Sequence, residues 1–349
     1  MSHGQCWGFG LGRLGVPEFV PQSDDTMEAL RAVARLYLAV PWLTVPLSIV
    51  GLLALATYLV PCALQMLLPS QNLKRRYSAE WALVTGGSSG IGLAIADRLA
   101  SEGVSVVIAA LDDDLLKSAT KTLRAKYPAV QVRSVGVNLA SKDFMDKIKS
   151  ATSDIDVAML FNNAGYIKPG FFANATIESV MANFDVNASC TLPITHHFVR
   201  KMQDRGNGRR SLVCFTSSSG GFLPAPMSAI YSSTKAWVTN FGASLAGEVA
   251  EDKIEVLVVH PSPIASNFYQ NANGMSVLQA VEKSAAAPSV VSDAIWKCAG
   301  RTVIVDQGSA SVGIKVLLRV LEWNLLADLF TAFVSVSGDY QRFRKQKRA

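Results

Sequence analysis

Charged residues are scarce in this chain of 349 residues. They make up 17% of the sequence, whereas half of all residues are hydrophobic. Soluble globular domains carry about a quarter charged residues, so this composition indicates contact with a membrane. The length allows one large domain with additional segments.

Cysteines are few, and their positions exclude two classes of protein. The five are scattered along the chain and form neither a metal-binding spacing nor a disulfide framework, which indicates a reducing compartment. The adjacent histidines His196 and His197 have no third ligand at a suitable distance in sequence, so we expect no metal site. The cysteines are Cys6, Cys62, Cys190, Cys214 and Cys298.

The net charge of +6 arises largely from two basic clusters, Lys74-Arg75-Arg76 and the stretch from Arg342 to Arg348. We see no basic surface interleaved with aromatic residues that would favour nucleic acid, so we expect no nucleic-acid partner. Basic residues beside an apolar segment more often face anionic lipid. We therefore predict a membrane as the partner of these clusters.

An uncharged stretch runs from Leu36 to Leu73. Its centre, Trp42 to Val60, is long enough to cross a bilayer core, which needs about 20 residues. Pro41, Pro46 and Pro61 leave two forms open, one tilted helix with an interfacial tail or a hairpin that enters and returns. The stretch predicts a membrane anchor.

The chain divides into four predicted segments. Residues 1–35 carry no clear signal and lack the features of a cleavable signal peptide. The basic cluster after the anchor favours a cytoplasmic position for the large domain, although Arg31 and Arg35 before the anchor weaken this inference. The other segments are an anchor (36–73), a large domain (78–305) and an amphipathic helix with a basic tail (306–349).

From Glu80 onward, short β-branched runs alternate with helical patterns. The runs are continuously apolar, so both faces of each strand should be covered. This rhythm predicts a doubly wound α/β domain whose seven-stranded parallel sheet has helices on both sides. The predicted strands are WALVT, VSVVIAA, VQVRSVGV, VAMLF, SLVCFT, IEVLVVH and TVIV.

The apolar stretch from Gly313 to Val336 carries Lys315, Arg319 and Glu322 at positions that share one helical face. We predict one amphipathic helix that lies on the membrane or covers the substrate cleft. An ordinary surface helix packed on the domain is the alternative.

A glycine-rich turn, TGGSSGIG, joins the first predicted strand to a helix. Glycines let the chain bend tightly and let a diphosphate approach the helix N-terminus, and serine hydroxyls add donors to its oxygens. The predicted phosphate-binding residues are Gly86, Ser88, Ser89, Gly90, Ile91 and Gly92.

Three further features accompany the glycine-rich turn. The segment Asn163-Ala164-Gly165 ends the fourth predicted strand. Tyr231 and Lys235 are four residues apart, so both project from one side of a helix. Ser218 follows the fifth strand and precedes Tyr231. A ketone reduction needs a hydride source, an acid and a donor to the developing alkoxide.

The region from about Glu80 to Val305 resembles the short-chain dehydrogenase/reductase family, which has a Rossmann-type fold. The resemblance implies that Tyr231 donates a proton, and that Lys235 binds the nicotinamide ribose and lowers the pKa of the tyrosine. It implies that Ser218 binds the substrate carbonyl and that Asn187 holds a proton-relay water. Further cofactor contacts implied by the resemblance are Asn138 at the adenine edge, Asn163, Ala164, Gly165, Pro261, Ile264 and Ser266.

The residues that select the cofactor depart from the family pattern. An acid at the end of the second strand binds the ribose of NAD, and an arginine nearby accommodates the 2′-phosphate of NADP. Here that strand ends Ala109-Ala110-Leu111 before Asp112-Asp113-Asp114. A register shift that brings Asp112 to the ribose would favour NADH. The resembling reductases favour NADPH, so we predict NADPH and keep NADH open.

The segment NLKRRYSAEWALVTGGSSGIG after an apolar anchor resembles membrane-bound members of the family. We therefore predict reduction of a lipid ketone, first a 3-oxoacyl-CoA in fatty-acid elongation, with 3-ketosphinganine or a hydroxysteroid as alternatives. A non-catalytic dinucleotide-binding membrane protein is an alternative of another class. The helices that carry Asn187 and Tyr231 suggest a possible homodimer.

The tail carries Lys345 and Lys347, a spacing that resembles a dilysine-type retrieval signal of endoplasmic-reticulum membrane proteins. A merely solvated or lipid-facing basic end is the alternative. We predict residence in the endoplasmic-reticulum membrane, with the large domain facing the cytoplasm.

Overall fold

The computed structural model describes residues 39–206, 208–272 and 275–346, together with residues 28, 31, 32 and 35. The chain divides into two compact units, Met1–Ala56 and Thr57–Ala349. Most of the predicted N-terminal segment 1–35, and Lys347 of the predicted retrieval signal, lie outside the described residues.

The predicted anchor contains one continuous helix, α1 (Pro41–Leu67), rather than a hairpin. It is long and apolar enough to cross a membrane by length and composition. Large apolar side chains along it, among them Trp42, Leu47 and Leu52, are exposed. Exposed apolar surface of this extent is unfavourable in water and suits a lipid environment.

The end of α1 lies in the second unit and is bound to it by hydrogen bonds. Tyr58 donates its hydroxyl to Asp306 Oδ2 at 3.0 Å, and Lys297 Nζ donates to the carbonyl of Met66 at 3.1 Å. Arg301 Nη1 donates to the carbonyl of Pro69, just after the helix, at 2.7 Å. The end of the anchor helix is therefore part of the large domain and not a free linker.

A short helix, α2 (Leu73–Tyr77), continues this attachment and holds the first basic cluster. Arg76 forms an ion pair with Glu255 at 2.7 Å, and Tyr77 donates its hydroxyl to the same carboxylate at 2.7 Å. Lys74 donates to the carbonyl of Gly103 at 2.7 Å. Two of the three cations predicted to face lipid thus bind the domain itself.

The predicted parallel sheet is confirmed, with seven strands in the order β3-β2-β1-β4-β5-β6-β7. Every pairing between neighbouring strands is parallel. All residues of β1 and β4 are buried, as their continuous apolar sequences predict. The strands are β1 (Trp81–Thr85), β2 (Ser105–Ala110), β3 (Val132–Gly136), β4 (Val157–Asn162), β5 (Ser211–Thr216), β6 (Ile254–Pro261) and β7 (Ile304–Gln307).

Helices cover both faces of the sheet and bury one hydrophobic cluster on each side. On one face lie α3 (Gly90–Ser101), α4 (Asp114–Lys126) and α10 (Ser289–Cys298). On the other face lie α5 (Phe144–Ala151), α7 (Thr191–Gln203) and α8 (Ala229–Glu248). The remaining helices of this region are α6 (Ile177–Phe184) and α9 (Ser276–Lys283).

The predicted single helix from Gly313 to Val336 is two helices, α11 (Ser309–Val320) and α12 (Trp323–Phe333), followed by α13 (Gly338–Gln346). The chain is extended at Leu321, and Glu322 caps α12 by accepting from Asn324 N at 2.6 Å. The apolar periodicity continues across this break, which is why the sequence did not reveal it.

Candidate active site

The glycine turn between β1 and α3 is packed so closely that a side chain at either of two glycines would collide with neighbouring backbone atoms. Gly86 has a φ of +64°, and a Cβ atom there would lie 2.8 Å from the Cα of Ala164. A Cβ atom at Gly92 would overlap the carbonyl oxygen of Gly86. The turn leads directly into the N-terminus of α3, where backbone N–H groups and the helix dipole favour a phosphate.

Asn163 holds the glycine turn against the end of β4. Its Nδ2 donates to the carbonyl of Thr85 at 3.1 Å, and its Oδ1 accepts from Thr216 Oγ1 at 3.1 Å. Its backbone N–H donates to Thr85 Oγ1 at 2.9 Å. The ends of β1, β4 and β5 are thereby fixed to one another, which gives Asn163 a structural task beside the predicted cofactor contact.

Asn187 lies on a π-helical turn (Asp185–Ser189) between α6 and α7. Such turns often mark functional sites. Its Nδ2 donates to the carbonyls of Tyr166 and Asn183, each at 2.8 Å, and its Oδ1 accepts from Tyr166 N at 3.0 Å. Through these bonds Asn187 holds the segment after β4 that contains Gly165 and Tyr166. Asn187 itself does not line the cavity.

Tyr231 and Lys235 lie on α8, and Ser218 lies on the loop after β5. The ammonium of Lys235 is 5.8 Å from the centre of the Tyr231 ring and donates to the carbonyl of Thr216 at 2.9 Å. Ser218 hydrogen-bonds the Tyr231 hydroxyl and accepts from Gly220 N at 3.0 Å. The structure thus brings together three groups that the sequence separates.

Burial shifts the pKa values of the tyrosine and the lysine in opposite directions. It raises the pKa of the Tyr231 phenol, and the hydrogen bond from Ser218 offsets part of this increase. Burial lowers the pKa of Lys235 to about 8, because the ammonium loses hydration. Near neutral pH the site therefore holds a neutral phenol beside a lysine that is still mostly protonated.

These groups open onto a cavity of about 1240 Å³, whose wall is mostly apolar away from the glycine turn. The volume exceeds the roughly 300–1,000 Å³ of ordinary small-molecule pockets, so it has room for a dinucleotide and a substrate. Helix α12 closes one side with Leu326 and Phe330, which places part of the predicted C-terminal helix over the cleft.

Most of the predicted cofactor residues line this cavity, and two do not. Gly92 lies behind the turn, and Asp112 lies against Gly136 of β3. The neighbouring residue Asp113 lines the cavity instead. The predicted residues on the wall are Gly86, Ser88, Ser89, Gly90, Ile91, Asn138, Asn163, Ala164, Gly165, Tyr231, Lys235, Pro261, Ile264 and Ser266.

A buried polar chain beneath the site was not recognised from the sequence. His260 Nδ1 lies 2.7 Å from Asp306 Oδ1, and His260 Nε2 lies 2.9 Å from Thr239 Oγ1, one turn after Lys235 on α8. Burial lowers the pKa of His260, although the hydrogen bond with Asp306 opposes this. Lys315 of α11 also pairs with Asp306, at 3.0 Å. His260 and Asp306 are brought together by the pairing of β6 with β7. Local sequence does not contain this pairing, so it could not reveal the row of polar contacts.

No group of three or more histidine, cysteine or acidic side chains suited to a metal ion occurs in the part of the chain that the structure describes.

A strand, a glycine turn and a helix N-terminus at the carboxyl edge of a doubly wound sheet define a dinucleotide-binding α/β protein. Residues 80–276 match the family model described as short chain dehydrogenase, and the chain belongs to that family. The predicted family is thereby confirmed, and a nicotinamide dinucleotide is supported as the ligand of the glycine turn.

Two curated relatives are similar to about half of the chain. The very-long-chain 3-oxoacyl-CoA reductase of Laccaria bicolor is 33% identical over 196 residues, which cover 54% of this chain and 57% of the relative. The protein of that name from Homo sapiens is 32% identical over 195 residues, covering 54% and 61%. The alignments thus span about six-tenths of the length of these relatives.

Among solved structures, L-sorbose reductase from Gluconobacter frateurii, complexed with NADPH and L-sorbose, superposes with a TM-score of 0.57. It is 26% identical and covers 67% of this chain and 97% of its own. The likeness covers two thirds of this chain and agrees with the fold described above.

Proposed function

We propose that the protein is a membrane-anchored, nicotinamide-dependent reductase of a lipid ketone, with a 3-oxoacyl-CoA as the first-choice substrate. The observation that carries the proposal is the meeting of Ser218, Tyr231 and Lys235 at the wall of a largely apolar cavity. The relatives named as very-long-chain 3-oxoacyl-CoA reductases support the choice of substrate.

The residues of the glycine turn fit a dinucleotide, because Gly86, Ser88, Ser89 and Gly90 line the cavity where the turn enters the N-terminus of α3. The bound reduced cofactor supplies the hydride. In this proposal Ser218 and Tyr231 donate hydrogen bonds to the ketone oxygen, and Tyr231 transfers its proton to the alkoxide that develops there. Lys235 stabilises the phenolate that remains, because a nearby ammonium favours the charged form.

The substrate's carbon chain is accommodated by the apolar wall. Leu223, Met227, Leu326, Phe330 and Phe333 line the cavity beyond the catalytic groups. A long acyl chain buries apolar surface there at roughly 25 cal/mol per Å². The same wall suits 3-ketosphinganine or a steroid, so these ketones are the alternative substrates. If the protein reduces none of them but binds cofactor, the non-catalytic alternative is supported.

The cellular setting is also part of the proposal. Helix α1 supports membrane residence, and the endoplasmic reticulum with the large domain in the cytoplasm is our proposed location. The cluster of exposed apolar side chains on α6 and the start of α7, Ile177, Met181, Phe184 and Leu192, supports pairing with a second copy. A homodimer would bury this surface.

The test compares wild-type protein with Tyr231→Phe in detergent, following cofactor oxidation with long-chain 3-oxoacyl-CoA, 3-ketosphinganine and a steroid ketone. We expect the variant to lose roughly 10²–10⁴-fold in rate, which is the usual contribution of a positioned acid. Tyr127→Phe is the matched control, because that hydroxyl contacts Asp97 outside the cavity. Equal rates for wild type and Tyr231→Phe would refute the mechanism.

A further inference from the structure

The end of β2 adjoins the glycine turn, and this region decides which dinucleotide fits. Gly86 N donates to the carbonyl of Ala109 at 2.8 Å, which joins the turn to β2. In dinucleotide folds the residues that follow this strand meet the adenosine ribose. Here they are Leu111, Asp112 and Asp113.

Leu111, Asp112 and Asp113 form a tight turn in which Asp113 N donates to the carbonyl of Leu111 at 2.9 Å. Leu111 and Asp113 line the cavity wall, whereas the side chain of Asp112 lies against Gly136. Leu111 is 57% exposed, and Leu115, which also lines the wall, is 45% exposed. The adenosine end of the cavity is therefore bordered by two apolar side chains and one carboxylate.

No lysine or arginine of the described chain lines the cavity at this end. Among the described residues that line the cavity, Lys235 is the only lysine or arginine, and it lies beside Tyr231. Lys117, Lys121 and Arg124 of α4 line a separate surface hollow together with Ser134. A 2′-phosphate normally binds cations through charge-assisted hydrogen bonds, which the residues on this wall do not supply.

From this arrangement we infer that the protein selects NADH over NADPH, with Asp113 accepting a hydrogen bond from the ribose hydroxyl. Asp113 Oδ1 already caps α4 by accepting from Leu116 N at 3.0 Å, so its carboxylate is held in place. A carboxylate accepts a bond from a hydroxyl and repels a phosphate. The inference rests on the proposed function, and it reverses the choice of NADPH predicted from the sequence.

The test measures the dissociation constants of NADH and NADPH for the full-length protein in detergent by calorimetry, without a ketone substrate. We expect wild-type protein to bind NADH at least ten-fold more tightly. Asp113→Asn keeps a residue that caps helices well and removes the charge, so the preference for NADH should fall at least three-fold. Leu111→Arg should tighten NADPH binding at least ten-fold.

Asp112→Asn is the matched control, since it removes the same charge one residue away from the cavity wall. This variant should leave the ratio of the two dissociation constants within two-fold of the wild-type value. Tighter binding of NADPH by wild-type protein would overturn the inference, as would equal effects of Asp112→Asn and Asp113→Asn. Binding of NADH without reduction of any ketone would refute the proposed function and leave this inference standing.

Discussion

At the scale of single residues, the sequence predicted those contacts that form between residues close together in the chain. Tyr231 and Lys235 share one side of α8 because four residues make about one helical turn. The contact of His260 with Asp306 could not be predicted, since it depends on the register between β6 and β7. The sequence also left open which acid reaches the cofactor, because the turn at Leu111 decides between Asp112 and Asp113.

The charge of Lys235 should control the alkaline side of the pH profile. Burial lowers the pKa of this lysine to about 8, so the ammonium is present below that pH and is lost above it. We expect kcat/KM for the ketone to fall with an apparent pKa near 8 as pH rises. Lys235→Arg keeps its charge and should move the fall to higher pH, even if its rate is lower. A wild-type rate that stays constant up to pH 10 would contradict this role.

At the scale of elements, continuous apolar runs predicted the seven strands because such runs are needed where both faces of a sheet are covered. The boundary between the C-terminal helices α11 and α12 was harder to predict, because apolar periodicity does not show where a helix is capped. The side chain of Glu322 caps the N-terminus of α12. The sequence pattern instead predicted that Glu322 lies within one helix, on the same face as Lys315 and Arg319. At this break Asn324 N donates to Glu322 Oε2 at 2.6 Å.

The carboxylate of Glu255 should be a main support of the attachment between α2 and the domain. It is only 17% exposed and accepts bonds from Arg76, Tyr77 and Arg210. Glu255→Gln leaves the arginine partners without the negative charge that pairs with them. We expect the free energy of unfolding to fall by about 2 kcal/mol. Thermal unfolding measures this loss. Lys117→Gln, which breaks an exposed pair with Asp114, is the control and should leave the melting temperature unchanged.

The same carboxylate gives this attachment a defined pH dependence. Burial raises the pKa of Glu255, but the hydrogen bonds from Arg76, Tyr77 and Arg210 outweigh it and leave the pKa below its usual value. Because the folded-state pKa is lowered, the stabilisation is complete above the ordinary carboxyl pKa and is lost as pH falls through the folded-state value. The difference in stability between wild type and Glu255→Gln should therefore shrink below about pH 4. A constant difference down to pH 2 would contradict this account.

At the scale of the whole molecule, two features of the chain point to a membrane. Helix α1 exposes apolar side chains along its length, and its end is bonded to the large domain through Tyr58 and Met66. On the domain itself, Trp323 and Phe333 of α12 are exposed although the same helix lines the cavity. The sequence predicted the apolar anchor, whereas its firm attachment rests on contacts between residues far apart in the chain.

Membrane residence should withstand alkaline carbonate. We expect wild-type protein to stay in the membrane pellet after extraction, because α1 is long and apolar enough to remain inserted. Replacing Leu52 and Leu53, both exposed, with arginine should release the protein, since each charge costs about 2.5–3.5 kcal/mol near the centre of a membrane helix. The matched Leu52→Ala, Leu53→Ala variant should remain in the pellet. Wild-type protein in the supernatant would refute the anchor.

The central claim is that hydride passes from the cofactor to a lipid ketone while Tyr231 supplies the proton. Its most direct test incubates the protein with a long-chain 3-oxoacyl-CoA and NADH or NADPH carrying deuterium at both C4 positions, then weighs the product by mass spectrometry. The account predicts a 3-hydroxyacyl-CoA with one deuterium at C3 from wild-type protein, and almost none from Tyr231→Phe. A product without deuterium, or equal labelled product from both proteins, would contradict it.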